Sequence, residues 1–359
     1  INKKWCNGVT FVDINNDGWQ DIYVSQGGPN NRSNRNNLLY INNQNLTFTE
    51  SATEYGLNDP GISTQTAFFD FDNDGDLDCI VMNENELYGL DPISLLKTVN
   101  TTKESKYFNS SHFYKNVNGK YVDVTKEVGL ENPIFGLGLC VSDINSDGYL
   151  DIYLSSDYYL PDAIYINNQK GKFTNQVNQL TQQISFYGMG LDIGDINNDN
   201  LQDIFVLDMA SNDHFRAKTL MASMSTERFD FLTKTAGFQH QYMFNSLQLN
   251  QGKNHYSNIS QLTGMASSDW SWSVLMSDYN NDGTKDVFIT NGYRKYALDN
   301  DFQNKVYNAK IKYRGNIPIN LKQQLYNEMP SESLSNLMYQ NNGNLEFQEV
   351  STDWGLNEL

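Results

Sequence analysis

A 359-residue chain with a formal charge of −18 is a poor partner for nucleic acid or an anionic membrane, because both require a basic surface. No run reaches the ~18 apolar residues of a membrane span, and the opening "INKKWCNGVT" lacks the apolar stretch of a secretory leader. With 39% hydrophobic residues, 22 Tyr and 19 Phe, the composition is globular and favours strands, at a length that calls for several domains or a repeat array.

In chain order, the apolar segment "GVTFV" runs into "DINNDGWQD" at 13–21 and out into "IYVS". The same arrangement returns as "DFDNDGDLD" (70–78), "DINSDGYLD" (143–151), "DINNDNLQD" (195–203) and "DYNNDGTKD" (278–286), each between two short apolar strands. A second repeat interleaves with the first, at 38–57, 113–130, 164–180, 247–265 and 337–356. Each copy is strand, Asn/Gly turn, strand, which is a hairpin signal. One acidic-loop hairpin and one Asn/Gly hairpin make four strands. The expected fold is therefore all-β: a single β-propeller over 1–359 built of four-stranded blades. Five units are visible, at about 1–57, 58–130, 131–180, 181–265 and 266–359. They fit either a complete five-bladed ring or part of a larger one.

The acidic loops carry the chemistry. Positions 1, 3, 5 and 9 present side-chain oxygens, and position 7 adds a backbone carbonyl, a set of hard ligands on a tight turn such as calcium requires. The candidate ligands are Asp13, Asn15, Asp17, Trp19 and Asp21; Asp70, Asp72, Asp74, Asp76 and Asp78; and Asp143, Asn145, Asp147, Tyr149 and Asp151. The fourth and fifth loops supply Asp195, Asn197, Asp199, Leu201 and Asp203, then Asp278, Asn280, Asp282, Thr284 and Asp286. The sixth position is Gly18, Gly75, Gly148, Asn200 or Gly283, residues that tolerate a left-handed turn. An EF-hand would place Glu at position 12, where this chain has Val24, Val81, Leu154, Val206 or Ile289. One such turn is adequately read as a solvated Asp/Asn loop. Five with the same spacing point to about five structural Ca²⁺ ions, since crowded carboxylates repel one another without a cation. Magnesium suits them less, because it retains waters and demands octahedral geometry.

The D-x-[DN]-x-D-G-x-x-D loops, their flanking strands and the "LYxNN…FT…GL" hairpins resemble FG-GAP/VCBS repeats, the calcium-loop propeller modules of integrin α-subunits and many secreted bacterial proteins. The stretch "SDWSWSVLMSDYNNDGTKDVFITNGYRK" is similar to VCBS-repeat surface proteins of Bacteroidota related to the cartilage acidic protein and UnbV group. The resemblance implies a propeller, usually seven-bladed, located extracellularly or on the bacterial outer membrane, with binding rather than catalytic roles.

Three units carry insertions between their second and third strands, roughly 84–112, 208–245 and 291–336. Blade strands alternate direction, so all three are expected opposite the acidic loops, where repeat proteins bind partners. "NLKQQLYNEM" reads as a helix with Asn320 as N-cap, Gln323 at the capping-box position and Pro330 as stop. The second insertion is rich in helix formers and in Met221, Met224, Phe229 and Phe231, read either as packing against the blades or as a partner contact. Trp270, Trp272, Tyr293 and Arg294 are expected on this face, as core or as a contact for protein or sugar.

No catalytic constellation stands out. The histidines are scattered, and His240 near Tyr242 is a weak general-base signal. No G-x-S-x-G elbow or phosphate loop is present. Cys6, Cys79 and Cys140 read as buried thiols. The sequence therefore points to a calcium-stabilised, non-catalytic binding module. Another cell-surface protein is the expected partner and a glycan the second, and the alternative is a calcium-dependent polysaccharide-active enzyme such as a lyase.

Overall fold

The computed structural model describes residues 5–28, 31–219, 225–253 and 255–356; Met221 and Met224 lie outside the described residues. The chain folds into consecutive four-stranded antiparallel sheets. The first is β1 (Cys6–Val12), β2 (Asp21–Gln26), β3 (Leu38–Asn42) and β4 (Phe48–Glu50), paired in that order. The second is β5 (Ile62–Phe69), β6 (Asp78–Glu84), β7 (His112–Val117) and β8 (Lys120–Asp123), and the third is β9 (Gly136–Ser142), β10 (Asp151–Ser156), β11 (Ala163–Asn167) and β12 (Phe173–Asn175). After β13 (Gln183–Ser185), the fourth sheet takes β14 (Leu191–Gly194) and β15 (Asp203–Val206), leaves for β16 (His240–Tyr242), and returns with β17 (Ser246–Asn250) and β18 (Tyr256–Asn258). The fifth is β19 (Ser271–Ser277), β20 (Asp286–Asn291), β21 (Leu337–Asn341) and β22 (Phe347–Glu349). Strands β13 and β16 pair in parallel outside the main sheets.

The first strands pack side by side in chain order, β1 on β5, β5 on β9, β9 on β14 and β14 on β19. An apolar core fills each join. Tyr23 and Leu39 meet Val81 and Tyr114 between the first two sheets. Phe71, Phe113, Ile152 and Phe173 lie between the second and third, Tyr153, Ile164, Ile204 and Tyr256 between the third and fourth, and Phe205, Leu247, Val274 and Val287 between the fourth and fifth. Among the described residues no such core joins the fifth sheet to the first. The strand patterns follow from this. β6 carries the unbroken apolar run Cys79–Met82 because both its faces are covered. β1 alternates, with Val9 and Phe11 exposed and Val12 buried, because a neighbour covers one face only.

The helices sit between sheets and in the insertions: α1 (Ala52–Tyr55), α2 (Pro92–Val99), α3 (Lys103–Phe108), α4 (Val177–Leu180), α5 (His214–Thr219), α6 (Thr226–Asp230) continuing as one π-turn over Phe231–Thr235, α7 (Asn300–Lys312) and α8 (Ile319–Glu328). α2 and α3 were not anticipated, although their signals are local: Asp91 caps α2 with Pro92 in its first turn, and Thr102 caps α3. α8 starts after Pro318, not on an Asn320 cap. Proline's fixed φ of −58° presets the first turn, and Gln323 bonds forward to Asn327 instead of closing a capping box. Cys6 also departs from expectation: it is exposed, on the uncovered outer strand β1, whereas Cys79 is buried.

Ion pairs tie the insertions together. Arg32 and Arg35, before β3, grip Glu86 of the first insertion, and Arg32 also lies 3.5 Å over the Phe108 ring. Arg216 of α5 grips Asp269 and Glu332. Among the described residues no helix is long and apolar enough to cross a membrane.

Candidate functional site

The five acidic loops join the first and second strands of the five sheets and share one geometry. The fourth and sixth loop residues are left-handed: Asn16 and Gly18 at φ 58° and 85°, with Asn73/Gly75, Ser146/Gly148, Asn198/Asn200 and Asn281/Gly283 alike. This curls the chain over its first aspartate. The Asp13 carboxylate accepts from the Asp17 and Gly18 amides at 3.0 and 2.8 Å, and Asp70, Asp143, Asp195 and Asp278 accept the same two bonds in their loops. The fifth-position Asp17, Asp74, Asp147, Asp199 and Asp282 each accept from the amide of the seventh residue: Trp19, Asp76, Tyr149, Leu201 or Thr284. In four loops the third-position Asn15, Asn145, Asn197 or Asn280 donates to that same fifth carboxylate.

The ninth-position aspartates, Asp21, Asp78, Asp151, Asp203 and Asp286, are buried at the start of the second strands. One oxygen of each accepts from the amide of the loop's second residue. The other accepts from the amide of an asparagine at or next to the end of the third strand: Asn42, Asn116, Asn167, Asn250 or Asn341. In the sequence these asparagines look like ordinary hairpin residues; their recurrence just before each Asn/Gly turn is the signal. Burial pushes Asp78 up to about 7 and Asp151 and Asp203 to about 6; the two backbone bonds oppose the shift, and neighbouring loop carboxylates add to it, Asp72 and Asp74 for Asp78 and the fifth- and first-position aspartates for the other two. Asp21 and Asp286 move the same way for the same cause. A divalent cation reverses that penalty.

The second loop fits a cation most directly. Carboxylate oxygens of Asp70, Asp72 and Asp78 lie within 4.8 Å of one another, and Asp72 Oδ1 is buried with no hydrogen-bond partner. Here the third residue is Asp instead of Asn, and Lys115 reaches in from β7 to contact Asp72 and, at 3.5 Å, Asp74. The ammonium compensates the charge that the extra carboxylate adds, an arrangement invisible in the loop's own sequence.

The residues expected on the insertion face lie at the opposite end of the same strands. In β1 the pair Val12–Asp21 marks the loop end and Cys6–Gln26 the other. At that other end a cavity of about 1090 Å³ opens between all five sheets, lined by residues from Asn7, Ile62, Leu137 and Met189 to Trp270. Trp270, Trp272 and Tyr293 line it; Arg294 does not. Trp270 is buried and stacks on Tyr293 with centroids 4.0 Å apart. Trp272 is 46% exposed, its indole N–H donating to the Gly292 carbonyl at 2.5 Å. Missed from sequence were Trp5, Tyr88, Tyr158, Glu84 and Asp157, which also line the cavity. They come from three separate stretches, the residue before β1, the end of β6 with its insertion, and the β10–β11 connection, so no local pattern groups them.

The histidines take no part. His240 is exposed and stacks on Phe229 at 5.7 Å, with Tyr242 6.4 Å away. His112 is buried against Asp59.

An FG-GAP-like repeat model matches residues 13–81 and 143–206. No curated protein matches the chain. Among solved structures it is similar to an Agrocybe aegerita lectin described as recognising non-reducing terminal N-acetylglucosamine, at 14% identity and TM-score 0.44, over 97% of this chain and 65% of that one. It is also similar to the V. cholerae biofilm matrix protein Bap1 (12% identity, TM-score 0.40, 81% of this chain and 36% of that one). A third likeness is to the Bacillus licheniformis rhamnogalacturonan lyase PL11 (10%, 0.40, 80% and 55%). The chain thus spans less than two thirds of each of these proteins.

Proposed function

The chain carries FG-GAP-like repeats, and from that premise we propose that it is a calcium-stabilised, non-catalytic binding module working outside the cell or on a bacterial surface. The ions belong to the five acidic loops, held by their first, third, fifth and ninth side chains and the seventh carbonyl, where they neutralise crowded carboxylates and lock each hairpin. The partner, another surface protein or a glycan, belongs to the cavity and the insertions around it.

The separation of loops and cavity carries this reading. They occupy opposite ends of first strands such as β1, whose seven residues span roughly 20 Å. A calcium-dependent lyase needs its cation against the substrate, within the ~2.5 Å of a direct ligand bond. Ions at the loop end serve the scaffold. Extracellular calcium suits such sites, whose dissociation constants run to roughly 10⁻⁴–10⁻³ M in secreted modules.

A pull-down from a bacterial surface fraction, in millimolar calcium and again in chelator, tests the reading. The expected result is a stoichiometric partner recovered in calcium and lost in chelator. Equal recovery in both separates binding from the ions, and shortened polysaccharide in the eluate overturns the non-catalytic assignment.

A further inference from the structure

We propose that the cavity between the five sheets binds an uncharged carbohydrate, the end or a short run of a neutral glycan. This rests on the binding-module reading and names its ligand.

Three features of the cavity wall, each from different residues, converge on that chemistry. The first is aromatic surface: Tyr88 and Trp272 line the cavity while 59% and 46% exposed. Rings of this size normally find cover, and the apolar C–H face of a pyranose supplies it. Trp272 is already fixed by its bond to Gly292, so stacking on it costs little ordering. The second is a pair of donors. Trp270 and Asn85 line the cavity, and their buried Nε1 and Nδ2 have no hydrogen-bond partner among the described residues; a buried donor calls for an acceptor. The third is a pair of acceptors. Among the described residues the Glu84 carboxylate has no hydrogen bond or ion pair, and the Asp157 carboxylate accepts from the Tyr158 amide alone. Burial pushes both upward, Asp157 strongly, so each gains from a donor.

A hydroxyl group donates and accepts at one atom, so a ring of hydroxyls satisfies both sets at once. An organic cation would please Glu84, Asp157 and the aromatic faces yet leave the Trp270 and Asn85 donors without an acceptor. A uronate or sialylated sugar would bring a charge into a wall where burial already disfavours the Glu84 and Asp157 charges, and where the arginines Arg32 and Arg35 are engaged by Glu86. The volume, about 1090 Å³, lies just above the ~300–1,000 Å³ usual for small-ligand sites.

The test is a glycan array of neutral, amino and acidic oligosaccharides probed with the whole chain in millimolar calcium. Calorimetry follows with the strongest neutral hit on wild type, Trp272→Ala, Glu84→Gln and Tyr307→Ala, the last on an exposed position of α7. A neutral glycan is expected to bind, with Trp272→Ala weaker by about tenfold or more, Glu84→Gln weaker, Tyr307→Ala unchanged, and the melting temperature of Trp272→Ala at the wild-type value. No hit in any class, preference for acidic sugars, displacement by tetramethylammonium, or wild-type affinity in Trp272→Ala each overturns the assignment. If no glycan binds while the calcium pull-down still recovers a protein, the ligand class fails and the binding-module reading stands. If a neutral glycan binds and is shortened, the ligand class stands and the non-catalytic reading falls.

Discussion

Arg216 and Asp269 meet as a two-pronged ion pair, Nε to Oδ2 at 2.8 Å and Nη2 to Oδ1 at 2.6 Å. The pair joins helix α5 of the second insertion to the residue just before Trp270. Asp269 holds a left-handed φ of 72° there, and the same guanidinium binds the Tyr296 hydroxyl at 2.8 Å and Glu332 of the third insertion. Both side chains are about nine-tenths buried. Burial works against the Asp269 carboxylate, but the bonds from Arg216 hold it below the usual range.

Breaking this pair from one side leaves a buried charge without its partner. Arg216→Ala is expected to cost about 3–5 kcal/mol and to shift the fluorescence of Trp270. Denaturant unfolding of Arg216→Ala, Asp269→Asn and the double variant checks it; strictly additive losses would show that the pair is not coupled.

The acidic loops make a prediction that separates metal from mere turn. Asp17→Ala or Asp147→Ala lowers the melting temperature more in calcium than in chelator, because in chelator only hydrogen bonds such as those from the seventh-residue amide and the third-position asparagine are lost, whereas in calcium an ion ligand goes as well. Equal losses in both conditions would sink the metal assignment.

Lys115 gives the second loop a built-in counter-charge. Lys115→Met therefore leaves Asp72 and Asp74 dependent on calcium: the variant is less stable than wild type in chelator and recovers in millimolar calcium. Calcium-titrated thermal melts measure this, and a calcium-independent loss would assign Lys115 to packing, for instance over the Phe71 ring 5.4 Å away.

His112 and Asp59 form a fully buried pair at 2.5 Å, with Tyr107 stacked on the imidazole at 4.0 Å. Burial alone would lower His112, but the Asp59 charge overcomes it and the net shift is upward; Asp59 moves down despite its burial, because His112, Tyr114 and the Gly61 amide hold it. A raised histidine contributes stability fully below its unfolded value near 6.5 and loses it as pH rises through the folded value. A lowered aspartate contributes above 3.8 and loses it as pH falls through its folded value. The difference between the pH–stability profiles of wild type and His112→Phe should thus shrink on the alkaline side of neutrality. A pH-independent difference would mean that the pair is not charged.

Asn167 and Asn341 extend their amides across sheet boundaries, to the carbonyls of Phe71 at 2.7 Å and Ile196 at 2.9 Å. Asn167→Ala or Asn341→Ala orphans a buried carbonyl and is expected to cost about 1–3 kcal/mol. Urea unfolding is the check, and a loss below a few tenths of a kcal/mol would place water on those carbonyls.

The acidic loops were legible because everything that shapes them is local. Their oxygen-bearing side chains stand two, four and eight residues after the first aspartate, and the left-handed residues between them announce the turn. The hairpins on either side announce themselves by Asn/Gly turns and β-branched runs. Less local facts were not readable. The third-strand asparagine that clamps each ninth aspartate lies from 16 to 55 residues away, and Lys115 is 43 residues from Asp72.

By itself, then, the sequence determined the repeated four-strand unit and the acidic turn within it, since turn chemistry and side-chain alternation act over a few residues. Only the tertiary structure decided that apolar cores join each sheet to the next from the first to the fifth, and that among the described residues none joins the fifth to the first. It alone brought Tyr88, Asn85, Asp157 and Trp272 around one cavity. Those residues share no period, and only the packing of whole sheets against one another makes them neighbours.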